Sequence, residues 1–117
     1  MSKINWLPLT TVSQLEDIAE QSKSTPCIIF KHSTRCSISS MAKYRLENKW
    51  DIDDRELTPY FLDLIAYREV SNSVMDFFGV RHESPQLLLI RDGRCSYHAS
   101  HMDIRVQELK NFLSINA

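Results

Sequence analysis

One of the three cysteines, Cys36, lies among polar and basic residues directly after an apolar run. The segment FKHSTRCSIS holds Lys31, His32 and Arg35 within five residues of this cysteine, and residues 30–46 contain no acidic side chain. A cysteine reacts as its thiolate, which nearby cations and the first turn of a helix stabilise. The pattern therefore predicts a reactive nucleophile at Cys36, with His32 and Arg35 as candidate groups that bind its substrate.

Ser39 lies three residues after Cys36, at the spacing where dithiol oxidoreductases carry a second, resolving cysteine. Serine has nearly the shape of cysteine but forms no disulfide, so a mixed disulfide on Cys36 would persist until an outside thiol attacked it. We therefore expect chemistry on single thiol adducts, with Ser39 in the substrate site as a hydrogen-bond donor. The alternative is that Ser39 is an ordinary polar residue of a helix's first turn.

The other two cysteines, Cys27 and Cys95, lie in segments that resemble strands, CIIF and RCSYHAS. Cysteine at such positions is usually a small buried hydrophobic residue. Three cysteines do not make a paired framework, and no CxxC or CxxH pair accompanies Cys36, so we expect neither structural disulfides nor a metal site. Whether Cys27 or Cys95 pairs with Cys36 as a resolving thiol stays open at this stage.

The composition is that of an ordinary globular chain, with 117 residues, 43% of them hydrophobic, and a formal net charge of −1. This length fits one domain over residues 1–117. The charge gives no reason to expect nucleic acid or an anionic membrane as a partner. No apolar run approaches the roughly 20 residues of a membrane span, and the polar start does not resemble a signal peptide. We expect a cytoplasmic monomer or weak dimer.

Apolar periodicity and punctuation predict the order helix, strand, helix, strand, helix, β-hairpin, helix. A βαβ unit followed by a hairpin and a closing helix is the order of the thioredoxin fold, an α/β fold with a mixed four- to five-stranded sheet sandwiched between helices. Residues 4–9 could add an edge strand, where Pro8 is tolerated. The predicted helices cover residues 10–22, 36–50, 68–79 and 103–115, and the predicted strands cover 27–33, 60–67, 86–90 and 94–100.

The pattern also predicts the buried face of the second helix and the start of the last one. In the second helix, Ile38, Ala42 and Leu46 recur at helical spacing, with Met41 beside them, and predict the buried face. In the last helix, Ser100 and Asp103 fit a capping box and predict its start.

Pro85 stands just before the apolar strand QLLLI. Thioredoxin-fold oxidoreductases carry a cis-proline at this point of the fold, opposite the reactive cysteine, so we expect a cis bond between Ser84 and Pro85. The residue before that proline offers backbone groups to an extended substrate. Ser84 and Pro85 are therefore candidate substrate-binding residues that face Cys36.

Four segments together resemble the YtxJ-like family of bacillithiol-system redox proteins, which are monothiol, bacilliredoxin-like members of the thioredoxin superfamily. These segments are FKHSTRCSIS, FGVRHESPQ, DGRC and HASHMDI, and the resemblance extends over residues 5–113. It implies Cys36 as the redox-active residue and Pro85 as the cis-proline. It also implies S-thiolated proteins as partners and a low-molecular-weight thiol such as bacillithiol as co-substrate, without another cofactor. Ser37 departs from the proline expected after the cysteine.

Three functions remain open on the sequence alone. The first is a thiol–disulfide oxidoreductase that removes small-thiol adducts from protein cysteines through Cys36. The second is a redox-sensing or peptide-binding module of the same fold, in which Cys36 reports oxidation without turnover. The third, an arsenate reductase-like protein, would need a basic oxyanion site, for which Arg35 is thin support.

Overall fold

The elements of the chain follow the predicted order, with a short extra strand at one edge of the sheet. The structure, a computed structural model, describes residues 4–115. Its strands are β1 (Leu7–Pro8), β2 (Cys27–His32), β3 (Thr58–Asp63), β4 (Gln86–Arg91) and β5 (Arg94–Ser100). Its helices are α1 (Gln14–Gln21), α2 (Ser37–Lys49), α3 (Arg68–Phe78) and α4 (Val106–Ile115), with a 3-10 turn, η1 (His101–Asp103), between β5 and α4.

The five strands form one mixed sheet in the order β1-β3-β2-β4-β5. β1, β3 and β2 run parallel, whereas β4 is antiparallel to both β2 and β5. The carboxyl end of β2 therefore lies at the same edge of the sheet as the amino end of β4 and the carboxyl end of β5. This topology is the thioredoxin fold predicted from the sequence, and the edge strand predicted within residues 4–9 is present as β1.

The sheet separates two hydrophobic cores because successive residues of a strand point to opposite faces. Ile28 and Phe30 of β2 pack under α2 and α4, while Cys27 and Ile29 pack under α1 and α3. Every residue of β2 is buried, the apolar residues 27–30 as predicted and also Lys31 and His32. None of the helices within residues 4–115 is both long and apolar enough to cross a membrane.

Two turns take the backbone conformations that their sequences predicted. Gly79 follows the last residue of α3 with a φ of 69°, the left-handed conformation that glycine adopts at low cost after a helix. Asp92 and Gly93 join β4 to β5 with φ values of 54° and 81°. Positive φ at both central residues is typical of the two-residue hairpin turns that match strand twist.

The buried face of α2 differs from the one predicted. Ala42 and Leu46 are buried as expected, but the third buried residue of the helix is Ser39. Ile38 and Met41 are instead 44% and 55% exposed. The reason is that Ser39 hydrogen-bonds to groups at the end of β2, which fixes the rotation of the first turn and directs the neighbouring apolar side chains to solvent.

The last helix also begins later than predicted, at Val106 rather than at residue 103. His101 has a φ of 53°, which interrupts any helix that would start from Ser100. Arg45 of α2 donates hydrogen bonds from Nη2 to the carbonyl oxygens of His101 at 3.2 Å and of Ile104 at 3.4 Å. These contacts hold the segment as η1 followed by an extended residue.

Candidate functional site

Cys36 is the N-cap residue of α2 and follows β2 after a short turn. Its backbone is extended, with φ −117° and ψ 119°, and its N–H donates to Ser33 O at 3.2 Å. Its carbonyl accepts from Ser40 N at 3.1 Å, the first bond of the helix. The first-turn N–H groups of a helix have no partner within the helix, and the helix dipole favours an anion beside them. The half-buried Cys36 therefore lies at the N-terminus of α2, beside these N–H groups.

Ser39 lies beneath this turn and is fully buried. Its Oγ accepts a hydrogen bond from Ser33 N at 3.0 Å and shares another with His32 Nδ1 at 2.7 Å. These contacts join the end of β2 to the first turn of α2, on either side of the reactive cysteine. Because its partners are Ser33 and His32, the Ser39 hydroxyl is directed into the protein rather than to the sulfur of Cys36. Cys36 Sγ has no hydrogen-bond partner within residues 4–115.

His32 points into the core under α2, opposite to the neighbouring Lys31 on the same strand. Its ring lies 6.0 Å from the ring of Phe30 and 5.4 Å from that of Phe61, measured between centroids. Burial, and to a lesser degree the Lys43 ammonium, lower the pKa of His32, although Asp63 and Glu47 act in the opposite direction. The imidazole is therefore neutral at pH 7, and it supports the turn of Cys36 through Ser39.

Pro85 stands immediately before β4, at the same edge of the sheet as Cys36. The Ser84–Pro85 bond is cis in the structure. Gln86 pairs with Lys31 in the β2–β4 register, so Pro85 lies beside the end of β2. The Pro85 carbonyl accepts a hydrogen bond from His101 N at 3.1 Å, which attaches the start of η1 to the same edge. Ser84 is half-buried there.

Lys31 has a part in this edge that the sequence did not reveal. It is fully buried in the central strand, under α3, and its Nζ lies 3.1 Å from His82 Nδ1. Burial lowers the pKa of Lys31 to about 8. Its register neighbour Gln86 donates from Nε2 to Arg81 O at 2.9 Å. Two adjacent side chains of the sheet therefore hold the loop of residues 80–85 that leads into Pro85.

The remaining predicted site residue, Arg35, is exposed in the turn before Cys36, and its N–H donates to Ser33 Oγ at 3.3 Å. Burial raises the pKa of Cys27 to about 11 and also raises the pKa of Cys95. Both of these thiols are thus protonated at pH 7. Residues 4–115 contain no cluster of three or more His, Cys, Asp or Glu side chains placed to hold a metal ion.

Comparison with known protein families identifies the kind of protein to which this site belongs. Residues 7–109 match the family described as monothiol bacilliredoxin BrxC. The chain belongs to the BrxC family. As a bacilliredoxin it is a monothiol redox protein, as its resemblance to that group in sequence implied. Cys36 and the serine three residues later both lie within the matched region.

Solved structures similar to this bacilliredoxin agree on the fold. One, described as a candidate oxidoreductase with a thioredoxin fold, is 27% identical, with a TM-score of 0.77 and 91% of each chain covered. The thioredoxin of Malassezia sympodialis is 14% identical, with a TM-score of 0.73, and the match covers 98% of this chain and 93% of that one. The thioredoxin of Trypanosoma brucei brucei is 12% identical, with a TM-score of 0.73 and coverages of 96% and 90%.

Proposed function

We propose that the chain is a thiol–disulfide oxidoreductase that removes low-molecular-weight thiols of the bacillithiol type from protein cysteines. The observation that carries the proposal is the half-exposed Cys36 at the N-terminus of α2, with a buried serine three residues later. Membership of the monothiol bacilliredoxin family supports the same chemistry. The partners are S-thiolated proteins and a free small thiol, and no metal or prosthetic group takes part.

The reaction consists of two thiol–disulfide exchanges. In the first, the Cys36 thiolate attacks the small-thiol sulfur of a protein–S–S–R adduct. The S–S bond breaks, the target protein leaves as a thiolate that takes up a proton, and Cys36–S–S–R remains. In the second, another R–S⁻ attacks the R sulfur of this adduct, which releases R–S–S–R and regenerates the Cys36 thiolate. The cycle balances because each turnover consumes one outside R–SH, whose proton goes to the target thiol and whose sulfur leaves joined to the removed R group as R–S–S–R.

Three positions could have held a resolving group, namely Ser39, Cys27 and Cys95. None of them competes with the outside thiol for an adduct on Cys36. Ser39 has no sulfur, and its hydroxyl is engaged with Ser33 and His32. Cys27 is fully buried, and burial keeps the Cys27 and Cys95 thiols protonated at neutral pH. An adduct on Cys36 is therefore expected to wait for a second small thiol.

A mass-spectrometric exchange assay tests the proposal. A model protein carrying one bacillithiol or glutathione adduct is mixed with the chain at pH 7, and the intact masses of both are followed with time. We expect wild type to release the target and to gain one small-thiol mass on Cys36. Cys36→Ser should abolish this transfer, whereas Cys95→Ser, the matched control at another half-buried thiol, should retain it.

The same assay separates the alternatives. Equal, slow release with wild type and Cys36→Ser would refute the oxidoreductase. A Cys36 adduct that forms but resists millimolar small thiol would instead indicate a redox sensor without turnover.

A further inference from the structure

An apolar strip on α2 leads away from Cys36 across the surface of the molecule. We define the α2 strip as Ile38, Met41 and Tyr44 on the exposed face of the helix, together with Met102 of η1. These four side chains are 44%, 55%, 64% and 57% exposed, respectively. Ile38, Met41 and Tyr44 are three residues apart, so they lie along one side of the helix. Single exposed apolar residues are common, but a continuous strip beside a reactive residue is typical of a binding surface.

Two members of the strip, Met41 and Tyr44, line one hollow on the surface of α2. This shallow hollow of about 310 Å³ is lined by Ser40, Met41, Tyr44 and Arg45. The Arg45 guanidinium lies 3.9 Å from the sulfur of Met102 and donates to backbone carbonyls of the η1 segment, which keeps Met102 beside α2.

The strip opens into a second hollow of about 420 Å³ between α2 and α4. We call this the basic groove, because four cations and one carboxylate line it: Arg45, Lys49, Arg105, Lys110 and Asp51. Asp51 pairs with Lys110 at 2.9 Å. Lys49 and Arg105 form no ion pair within residues 4–115. The groove is positive although the chain as a whole has a formal net charge of −1, so it would attract a negatively charged group.

The distances along α2 decide what kind of molecule could occupy both surfaces. At a rise of about 1.5 Å per residue, Tyr44 lies about 12 Å and Lys49 about 20 Å along the helix from Cys36. A thiol as large as a tripeptide extends only about 10 Å. The small thiol attached to Cys36 is therefore too short to reach Lys49 at the far end of the groove. An extended peptide of about six residues spans the whole distance.

We propose that the α2 strip and the basic groove bind the polypeptide of the thiolated substrate. They would select segments with apolar residues beside the modified cysteine and acidic residues about four to six positions away. The inference rests on the proposed function and specifies its substrate class. In the complex, the apolar residues of the substrate cover Ile38 and Met41, and its acidic residues lie between Lys49 and Arg105.

Charge reversal in the groove tests this proposal against substrates of matched length. Two peptides carry the same thiolated cysteine with flanking leucines and differ only in having Glu or Lys four to six positions away on both sides. In Lys49→Glu/Arg105→Glu, we expect kcat/KM for the acidic peptide to fall about tenfold at low salt, from roughly 0.7 kcal/mol per charge pair lost. The basic peptide should react faster. Reduction of bis(2-hydroxyethyl) disulfide, which cannot reach the groove, should stay within about twofold.

The control variant Lys23→Glu/Arg94→Glu changes the net charge equally at exposed positions near the β4–β5 turn, away from the groove. An equal loss with this control, or no loss with the groove variant, would overturn the proposal. A second copy of the chain is another molecule that could bind the strip. Sedimentation of wild type and of Ile38→Ser/Met41→Ser tests this. A wild-type dimer that this variant abolishes would assign the strip to self-association and also overturn the proposal.

Failure of the proposed function would be visible separately, as no reaction of wild type with any of the disulfides. Binding then decides the question of the groove. Fluorescence anisotropy with Cys36→Ser and labelled reduced peptides should give tighter binding of the acidic peptide, and adding Lys49→Glu/Arg105→Glu should remove that preference. Equal affinities for the two peptides would refute the groove as a binding site.

Discussion

Ser39 illustrates at the scale of a single residue how a position can serve the fold and the chemistry together. A serine in place of a resolving cysteine prevents an internal disulfide. The same hydroxyl accepts the Ser33 N–H and contacts His32 Nδ1, and these bonds fix the backbone on both sides of Cys36. The residue type was informative in the sequence, but its partners depend on the rotation of α2, which the apolar pattern alone predicted wrongly.

Removing this hydroxyl should destabilise the protein. Ser39→Ala leaves the buried Ser33 N–H without its acceptor, and an unsatisfied buried donor costs about 1–3 kcal/mol. We expect the free energy of unfolding at pH 7, measured by chemical denaturation, to fall by this amount. Ser37→Ala, at an exposed position in the same turn, should change it by less than about 0.5 kcal/mol. Equal stabilities of Ser39→Ala and wild type would show that the buried hydrogen bonds contribute nothing.

At the scale of the element, β2 carries a lysine where its sequence otherwise favours an apolar core. The folded chain holds the proton of Lys31 less tightly than the unfolded chain, because burial lowers its pKa from 10.5 to about 8. Below pH 8 the folded state therefore carries the cost of a buried charge. Between pH 8 and 10.5 the folded chain loses this proton first, and that cost disappears as the pH rises.

Lys31→Met should accordingly stabilise the protein, and the gain should depend on pH. Methionine removes the buried charge, while the lost hydrogen bond to His82 offsets about 1 kcal/mol, so we expect a gain of about 1–2 kcal/mol at pH 7. The gain should shrink as the pH approaches 10, because wild-type Lys31 then becomes neutral. Denaturation curves at pH 7, 8, 9 and 10 measure it, with the exposed Lys23→Met as control. A gain that is constant over this range would rule out charge burial as its cause.

The sequence predicted the elements better than it predicted their orientation. The bounds of β5 are the predicted ones and those of β2 differ by one residue, because apolar runs and the Asp92–Gly93 turn are local signals. The contact between Lys31 and His82 joins residues 51 positions apart, so no local pattern could reveal it. The candidate site residues could be named from the sequence. The contacts by which Lys31 and Gln86 hold the loop of residues 80–85 could not, because they depend on the register of β2 and β4.

At the scale of the whole molecule, the two cores share their central strands. Alternate side chains of β2 and β4 enter opposite cores. If one core loses its packing, the strands that the other core also contains are displaced, so we expect the two cores to unfold together. Trp6 and Trp50 pack in the core under α2 and α4, and Cys27 lies in the core under α1 and α3. These residues provide one probe for each side of the sheet.

Both probes should therefore report a single unfolding transition. In Cys36→Ser/Cys95→Ser, Cys27 is the remaining thiol, and its labelling by an alkylating reagent follows exposure of its core. We expect the denaturant midpoint for labelling to coincide with that of tryptophan fluorescence, as two-state unfolding requires. Labelling of Cys27 at clearly lower denaturant would mean that the side under α1 and α3 opens independently.

The two margins of the sheet differ in what they could accept from another chain. β1 is two residues long and includes Pro8, which has no N–H to offer to an added strand. β5 is seven residues long, and no strand within residues 4–115 pairs with its outer side; its residues Arg94 and His98 are exposed. Two copies could pair through their β5 strands about a twofold axis. The edges of the resulting sheet would then both be β1 strands that contain Pro8. Edge-to-edge growth into a fibre would stop at the dimer.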